Sequence, residues 1–125
     1  MTRGVIYCLL VVLGIVLVIV YYHADIAIQP TLEISKEEAK QRRFGLVIDV
    51  RTEKEREHLG YYPNSIRLDL STIQRDIPVS KHTSILIYSN GDHRAQRAAE
   101  LLHAIGFNNV RYIRTTYLSL MPGSA

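Results

Sequence analysis

Six consecutive residues, Ser89-Asn-Gly-Asp-His-Arg94, hold the side chains of this chain best suited to chemistry. A hydroxyl, a carboxylate, an imidazole and a guanidinium fall within one loop's length. Ser89, His93 and Asp92 have the types of a hydrolytic triad. Their spacing argues against one, because three residues of a tight loop point in diverging directions and a triad needs base and nucleophile in hydrogen-bond reach. An anion cradle suits the spacing better. The loop follows the apolar run Ile85-Leu-Ile-Tyr88 and precedes Ala95, Ala98, Ala99, Leu102 and Ile105, which repeat at helical spacing. A loop between a buried parallel strand and a helix lies at the carboxyl edge of the sheet, where α/β ligand sites form. The helix start offers unsatisfied N–H groups and a positive dipole end, and a curled loop adds its own amides. Arg94 either bonds the loop's carbonyls or meets the anion. A cysteine at the loop start would be held there as thiolate. Ser89 stands there instead, and a serine hydroxyl does not ionise near neutral pH.

The elements that must position this loop are legible on either side. Thr31 to Ile34 alternates as a short strand. Ser35-Lys-Glu-Glu38 is a capping box that predicts a helix from Lys36 to about Arg43, closed by Gly45. Leu46-Val-Ile48 reads as a buried strand. Thr52-Glu-Lys-Glu55 is a second capping box and opens a second helix. Gly60 to Asn64 is a turn, Ser65 to Leu68 a strand, and Ser71 to Ile77 a helical turn before Pro78. After the loop come a helix ended by Gly106, a strand from Val110 to Ile113, and a last helix from Thr115 cut short by Pro122. Strands alternating with helices imply a parallel α/β sheet covered on both faces.

Taken together, these segments resemble the rhodanese-like domains. That family's active loop reads Cys-x-x-Gly-x-Arg after an apolar strand and before an Ala-rich helix. Here Tyr88-Ser-Asn-Gly-Asp-His-Arg-Ala95 is followed by Ala98-Ala-Glu-Leu-Leu102, Gly106-Phe and Asn109-Val. Ile48-Asp-Val-Arg51 matches the family's Asp-Val-Arg strand end. Gly60-Tyr-Tyr-Pro-Asn-Ser-Ile66 stands where Gly-His-Ile-Pro-Gly-Ala-Ile is usual, and Ile34-Ser-Lys-Glu-Glu-Ala39 fits the opening strand and helix. The resemblance covers about residues 31 to 120, and the six-position loop is similar to the sulfurtransferase branch rather than the longer-looped phosphatase branch. It implies a parallel sheet flanked by helices, with a cradle built from Ser89, Asn90, Gly91, Asp92, His93 and Arg94.

The departures bear on function. The family's reaction needs a thiolate that accepts sulfur as a persulfide, and Ser89 fills that position. Gly91 falls one place before the family glycine, whose place is taken by Asp92, a carboxylate that would repel an incoming anion. Tyr61 replaces the usual His, the stretch from Asp49 to Gly60 is one residue longer than common, and Thr115-Thr116 stands where Gly-Gly is frequent. Arg94 keeps its type and place. The resemblance therefore implies an inactive sulfurtransferase fold that serves as a protein-binding module. The alternatives are a residual sulfurtransferase-like enzyme and an anion sensor using the 89–94 loop. Asp49 and Arg51 are expected to be structural, capping and pairing around the next helix.

Composition narrows the rest. The chain has 125 residues, and the first 22 differ from the remainder, which leaves about 100 for one folded domain. All 12 acidic residues and 14 of the 15 Lys and Arg follow Tyr22, so that part carries +2, with no basic run interleaved with aromatics. A nucleic-acid partner is not expected. The single cysteine, Cys8, permits no intrachain disulfide and no thiolate metal site. His23, His58, His82, His93 and His103 show no metal spacing, and neither cofactor nor metal is expected. Lys40-Gln-Arg-Arg43 reads as a solvated helix end that suits the dipole, or as a contact for anionic lipid.

Val5 to Tyr22, VIYCLLVVLGIVLVIVYY, holds 18 residues without a charge, Pro, Asn or Gln. As a helix it is roughly 27 Å long, close to the thickness of a bilayer's hydrocarbon core. Tyr21 and Tyr22 suit the interface, and Arg3 flanks the other end. A cleaved signal peptide would need small residues where Tyr22 stands in Tyr22-His23-Ala24, so a retained anchor is expected. The expected layout is a tail over 1–4, a transmembrane helix over 5–22, a linker over 23–30 and the α/β domain over 31–125. The chain would be a single-pass membrane protein. The positive N-terminal side places the body on the lumenal or external face.

Overall fold

A computed structural model describes residues 2–28 and 31–123, and the chain divides into two compact units, 1–31 and 32–125. The first unit is one helix, α1 (Arg3–Ile28). Its large apolar side chains from Val5 to Tyr21 all stand exposed. Residues Arg3–Tyr21 are long and apolar enough to cross a membrane. The helix runs on through residues 23–28, within the stretch read as a short linker. His-Ala-Asp-Ile-Ala-Ile contains no helix breaker, and the first one, Pro30, lies outside the described residues.

The second unit contains α2 (Lys36–Gln41), β1 (Leu46–Asp49), α3 (Glu53–Leu59), β2 (Ile66–Arg67), α4 (Ile73–Asp76), β3 (Ile85–Tyr88), α5 (Arg94–Ala104), β4 (Val110–Tyr112) and a 3-10 turn at Tyr117–Leu120. The four strands form one parallel sheet in the order β2-β1-β3-β4. Residues 31–34 add to its β4 edge. They make a single parallel bridge, Glu33 to Tyr112, rather than a full strand. The domain is thus an α/β fold with a parallel sheet flanked by helices, as the sequence implies.

Side chains of successive strand residues leave opposite faces of the sheet. Ile48, Val50, Ile85, Ile87, Val110 and Tyr112 meet Ile73 of α4 and Ala95, Ala98, Ala99 and Leu102 of α5 in the larger core. The alanines let α5 lie close to the sheet. Leu86, Tyr88 and Ile113 meet Ile34, Ala39 and Leu120 in a smaller core on the other face.

The caps explain where the helices start and stop. Ser35 Oγ accepts the Glu38 N–H at 3.1 Å. Thr52 and Glu55 complete a reciprocal capping box on α3. α5 closes with Phe107 N–H on the Leu102 carbonyl and Gly106 N–H on the His103 carbonyl, a Schellman turn that Gly106 permits at φ +105°. α2 stops at Gln41, two residues early, because Arg42 is already extended to enter β1. The last helix shrinks to a 3-10 turn before Pro122.

Candidate functional site

β1 and β3 lie side by side, with Asp49 opposite Tyr88, so their carboxyl ends bring residues 49–51 and 88–90 together. Asp49 is fully buried and so must be paired. Arg51, also buried, donates to it from Nε, Nη2 and its own backbone amide, at 3.0, 2.8 and 2.8 Å. Tyr88 donates its hydroxyl at 3.1 Å, and Arg56 of α3 adds Nη1 at 3.2 Å. Burial raises the Asp49 pKa, and the Arg51 bonds outweigh it, leaving the carboxyl below the usual range. Arg51 Nη2 also donates to the Gly60 carbonyl at 2.6 Å, and its guanidinium lies over the rings of Tyr88 and Tyr117. Arg56 reaches Ser65 and stacks 4.0 Å from the ring centre of Tyr61. The cap of α3 is Thr52, so Asp49 and Arg51 pair with each other and do not cap the helix.

The loop joins this hub through Asn90. Its Oδ1 accepts Arg51 Nη1 at 3.2 Å, and its Nδ2 donates to Glu55 Oε2 at 2.8 Å. Ser89 is 1% exposed, and its hydroxyl donates to Asp92 Oδ1 at 2.8 Å. The same oxygen accepts the backbone N–H of Arg94, the first residue of α5. Arg94 Nε and Nη2 bind Asp92 Oδ2 at 3.0 and 2.7 Å. Arg94 Nη1 and Nη2 bind Glu55 Oε1 and Oε2 at 2.7 and 2.8 Å, a forked pair. Arg94 thus binds two carboxylates, where loop carbonyls or an outside anion were the expected partners. Its pKa is raised by those bonds, Glu55 first. Arg94 and, less strongly, Thr52 hold Glu55 at about 2. Arg94 and Ser89 hold Asp92 below its ordinary value.

Gly91 takes φ +82°, and a Cβ there would come within 3.2 Å of the Arg114 carbonyl, so glycine is needed at the loop's apex. His93 caps α5 without a side-chain capping bond and is exposed, so among the described residues the base beside Ser89 is Asp92, whose lowered pKa makes it a weak one. Next to the loop is a hollow of about 260 Å³ that includes Arg51, Arg67 and Arg94. Each of these cations already has a carboxylate: Arg67 binds Glu53 at 2.8 Å, Arg51 binds Asp49, and Arg94 binds Asp92 and Glu55. Among the described residues no group of three His, Cys, Asp or Glu side chains is placed to hold a metal.

Sequence reasoning missed Glu55 as a member of the site. Its capping box explained it fully from local spacing, and no local signal links it to Arg94, 39 residues on. Arg56, Ser65 and the Tyr88 hydroxyl were missed for the same reason.

The family model described as Rhodanese-like domain matches residues 32–118. A rhodanese-related protein from Thermoplasma volcanium superposes with a TM-score of 0.62 at 20% identity, covering 74% of this chain and 94% of that one. The human single-domain sulfurtransferase gives a TM-score of 0.59 at 15% identity, covering 77% of this chain and 100% of that one. A rhodanese-like domain protein from Staphylococcus aureus gives 0.56 at 22% identity, covering 73% and 92%. No curated protein matches by sequence.

Proposed function

The chain belongs to the rhodanese-like domain family, and from that premise we propose that it is a membrane-anchored, non-catalytic member that works as a protein-binding module. Ser89 occupies the place of the family's sulfur-carrying cysteine. One observation carries the reading: the loop holds an anion of its own. The Asp92 carboxylate accepts from Ser89 Oγ, the Arg94 amide and the Arg94 guanidinium. Of these, the Arg94 amide and guanidinium are donors a cradle would turn toward a substrate anion. The second carboxylate, Glu55, takes the remaining face of Arg94. A dianionic donor such as thiosulfate would have to displace both, and would then meet a hydroxyl that cannot hold a persulfide. The same saturation argues against an anion sensor. α1 supplies the anchor, and the Arg3 side stays inside, so the body lies on the lumenal or external face.

The test is sulfur transfer. The purified chain should carry no cyanolysable sulfur and show no transfer from thiosulfate or mercaptopyruvate to cyanide above a buffer blank. Turnover that disappears in Ser89→Ala would make the protein an enzyme and end this reading.

A further inference from the structure

The smaller core leaves part of its sheet face open. A parallel sheet is ordinarily covered on both sides, yet Val47, in an inner strand and paired with Leu86, is only half-buried. Above it lies a groove of about 590 Å³ between α2, the turn before β2 and residues 120–122. It sits at the amino ends of the strands, whereas the 89–94 loop sits at their carboxyl ends, so the two sites share no residue. The walls are apolar and aromatic: Phe44, Tyr62, Leu120 and Met121. The rim is basic. Lys40, Arg42 and Arg43 line the groove, and among the described residues no carboxylate does. Arg42 pairs loosely with Glu38 at 3.5 Å, with both side chains over a third exposed, and Arg43 has no ion-pair partner among the described residues. In a part of the chain whose net charge is only +2, the exposed Arg43 and the loosely held Arg42 make this rim positive.

From this we infer that the groove docks an acidic peptide segment carrying one bulky apolar side chain. The apolar residue enters over Val47 between Tyr62 and Met121, and flanking carboxylates meet Arg42 and Arg43. Concave apolar walls favour an inserted anchor over a flat bilayer surface, and the basic rim selects the sign of the partner. The inference rests on the reading of this domain as a binding module and names the surface and the partner's chemistry.

A random-peptide display library, selected on the full chain in phosphatidylcholine nanodiscs, tests it. Enriched peptides should carry Asp or Glu around an aromatic or long aliphatic residue. Their affinity should fall about tenfold in Arg43→Glu and about tenfold in Met121→Lys, and should weaken with salt. Arg43 is exposed, so its replacement should leave thermal unfolding unchanged. The proposal fails if nothing is enriched, if the enriched peptides are neutral or basic, or if both variants bind as the parent does. It also fails if dicaproyl phosphatidylglycerol, and no peptide, shifts the amide resonances of residues 43–47, because the groove would then be a lipid site. Sulfur transfer by the parent would sink the non-catalytic reading alone, so the two failures are distinguishable.

Discussion

Ser89 and Asp92 set what the loop can be made to do. The carboxylate lies 2.8 Å from the Ser89 oxygen, so a thiolate at position 89 would face a negative charge at contact distance. At intermediate dielectric that repulsion exceeds about 1 kcal/mol, close to one pKa unit. Ser89→Cys alone should therefore give a thiol with a raised pKa and at most weak transfer from thiosulfate. Adding Asp92→Gly removes the charge and frees the Arg94 amide. The thiol pKa should then fall by about one unit or more, and transfer should rise. The pH dependence of alkylation and a thiosulfate-to-cyanide assay read both effects. Equal pKa values in the two variants would show that Asp92 does not govern the loop. Arg51 allows a second prediction at this scale. Arg51→Met leaves Asp49 buried with Arg56 as its remaining cation and takes the donors away from Gly60 and Asn90. It should cost about 3 kcal/mol or more in urea unfolding, because an under-paired buried charge is expensive. Asp49→Asn with Arg51→Met should recover part of the loss.

α3 does more than its seven residues suggest, because its capping glutamate also clamps Arg94. Bonding to Arg94 and Thr52 holds Glu55 at about 2 against an ordinary 4.5. A carboxyl with a depressed folded-state pKa contributes stability that is fully present above its unfolded pKa and lost as pH falls through the folded one. The contribution should thus be intact above about pH 4.5 and fade toward pH 2. Glu55→Gln should lower stability near pH 7 by about 1 kcal/mol and flatten the loss between pH 4.5 and 2. Urea midpoints at pH 7 and pH 3 give the comparison, and an unchanged slope would mean that other carboxylates set the acid limit. The same glutamate marks where sequence reading runs out. Capping boxes, β-branched strands and the Ala spacing of α5 are local, so the alternation of elements and the parallel sheet were legible. Arg94 was legible as a loop residue of the right charge. Its partners were not, because side-chain bonds across 39 residues leave no periodic trace. The single bridge at residues 31–34 and the 3-10 turn at Tyr117–Leu120 were overestimated as a strand and a helix.

At the scale of the whole molecule, two chemistries share one chain. Residues 32–125 form a compact unit whose buried charges are paired, whereas α1 exposes an unbroken apolar surface from Val5 to Tyr21. Such a surface is tolerated in lipid, where a helix satisfies every backbone group internally, and is costly in water. A retained anchor and a removed signal sequence both fit an apolar helix near the N-terminus, and they predict different fates. If α1 anchors, the full chain stays in the membrane pellet after alkaline carbonate washing, and its N-terminal residues are recovered with it. A chain cut to residues 31–125 should instead be soluble and unfold cooperatively, because both cores and the Asp49–Arg51 hub lie wholly within it. Full-length protein in the supernatant with an intact N-terminus would remove the anchor. Protein lacking residues before Ala24 would convert α1 into a signal and make the body a free domain. Orientation follows from the same preparation: with Arg3 inside, protease added to sealed vesicles whose cytoplasmic face is outward should spare the body until lysis, and digestion before lysis would reverse the assignment.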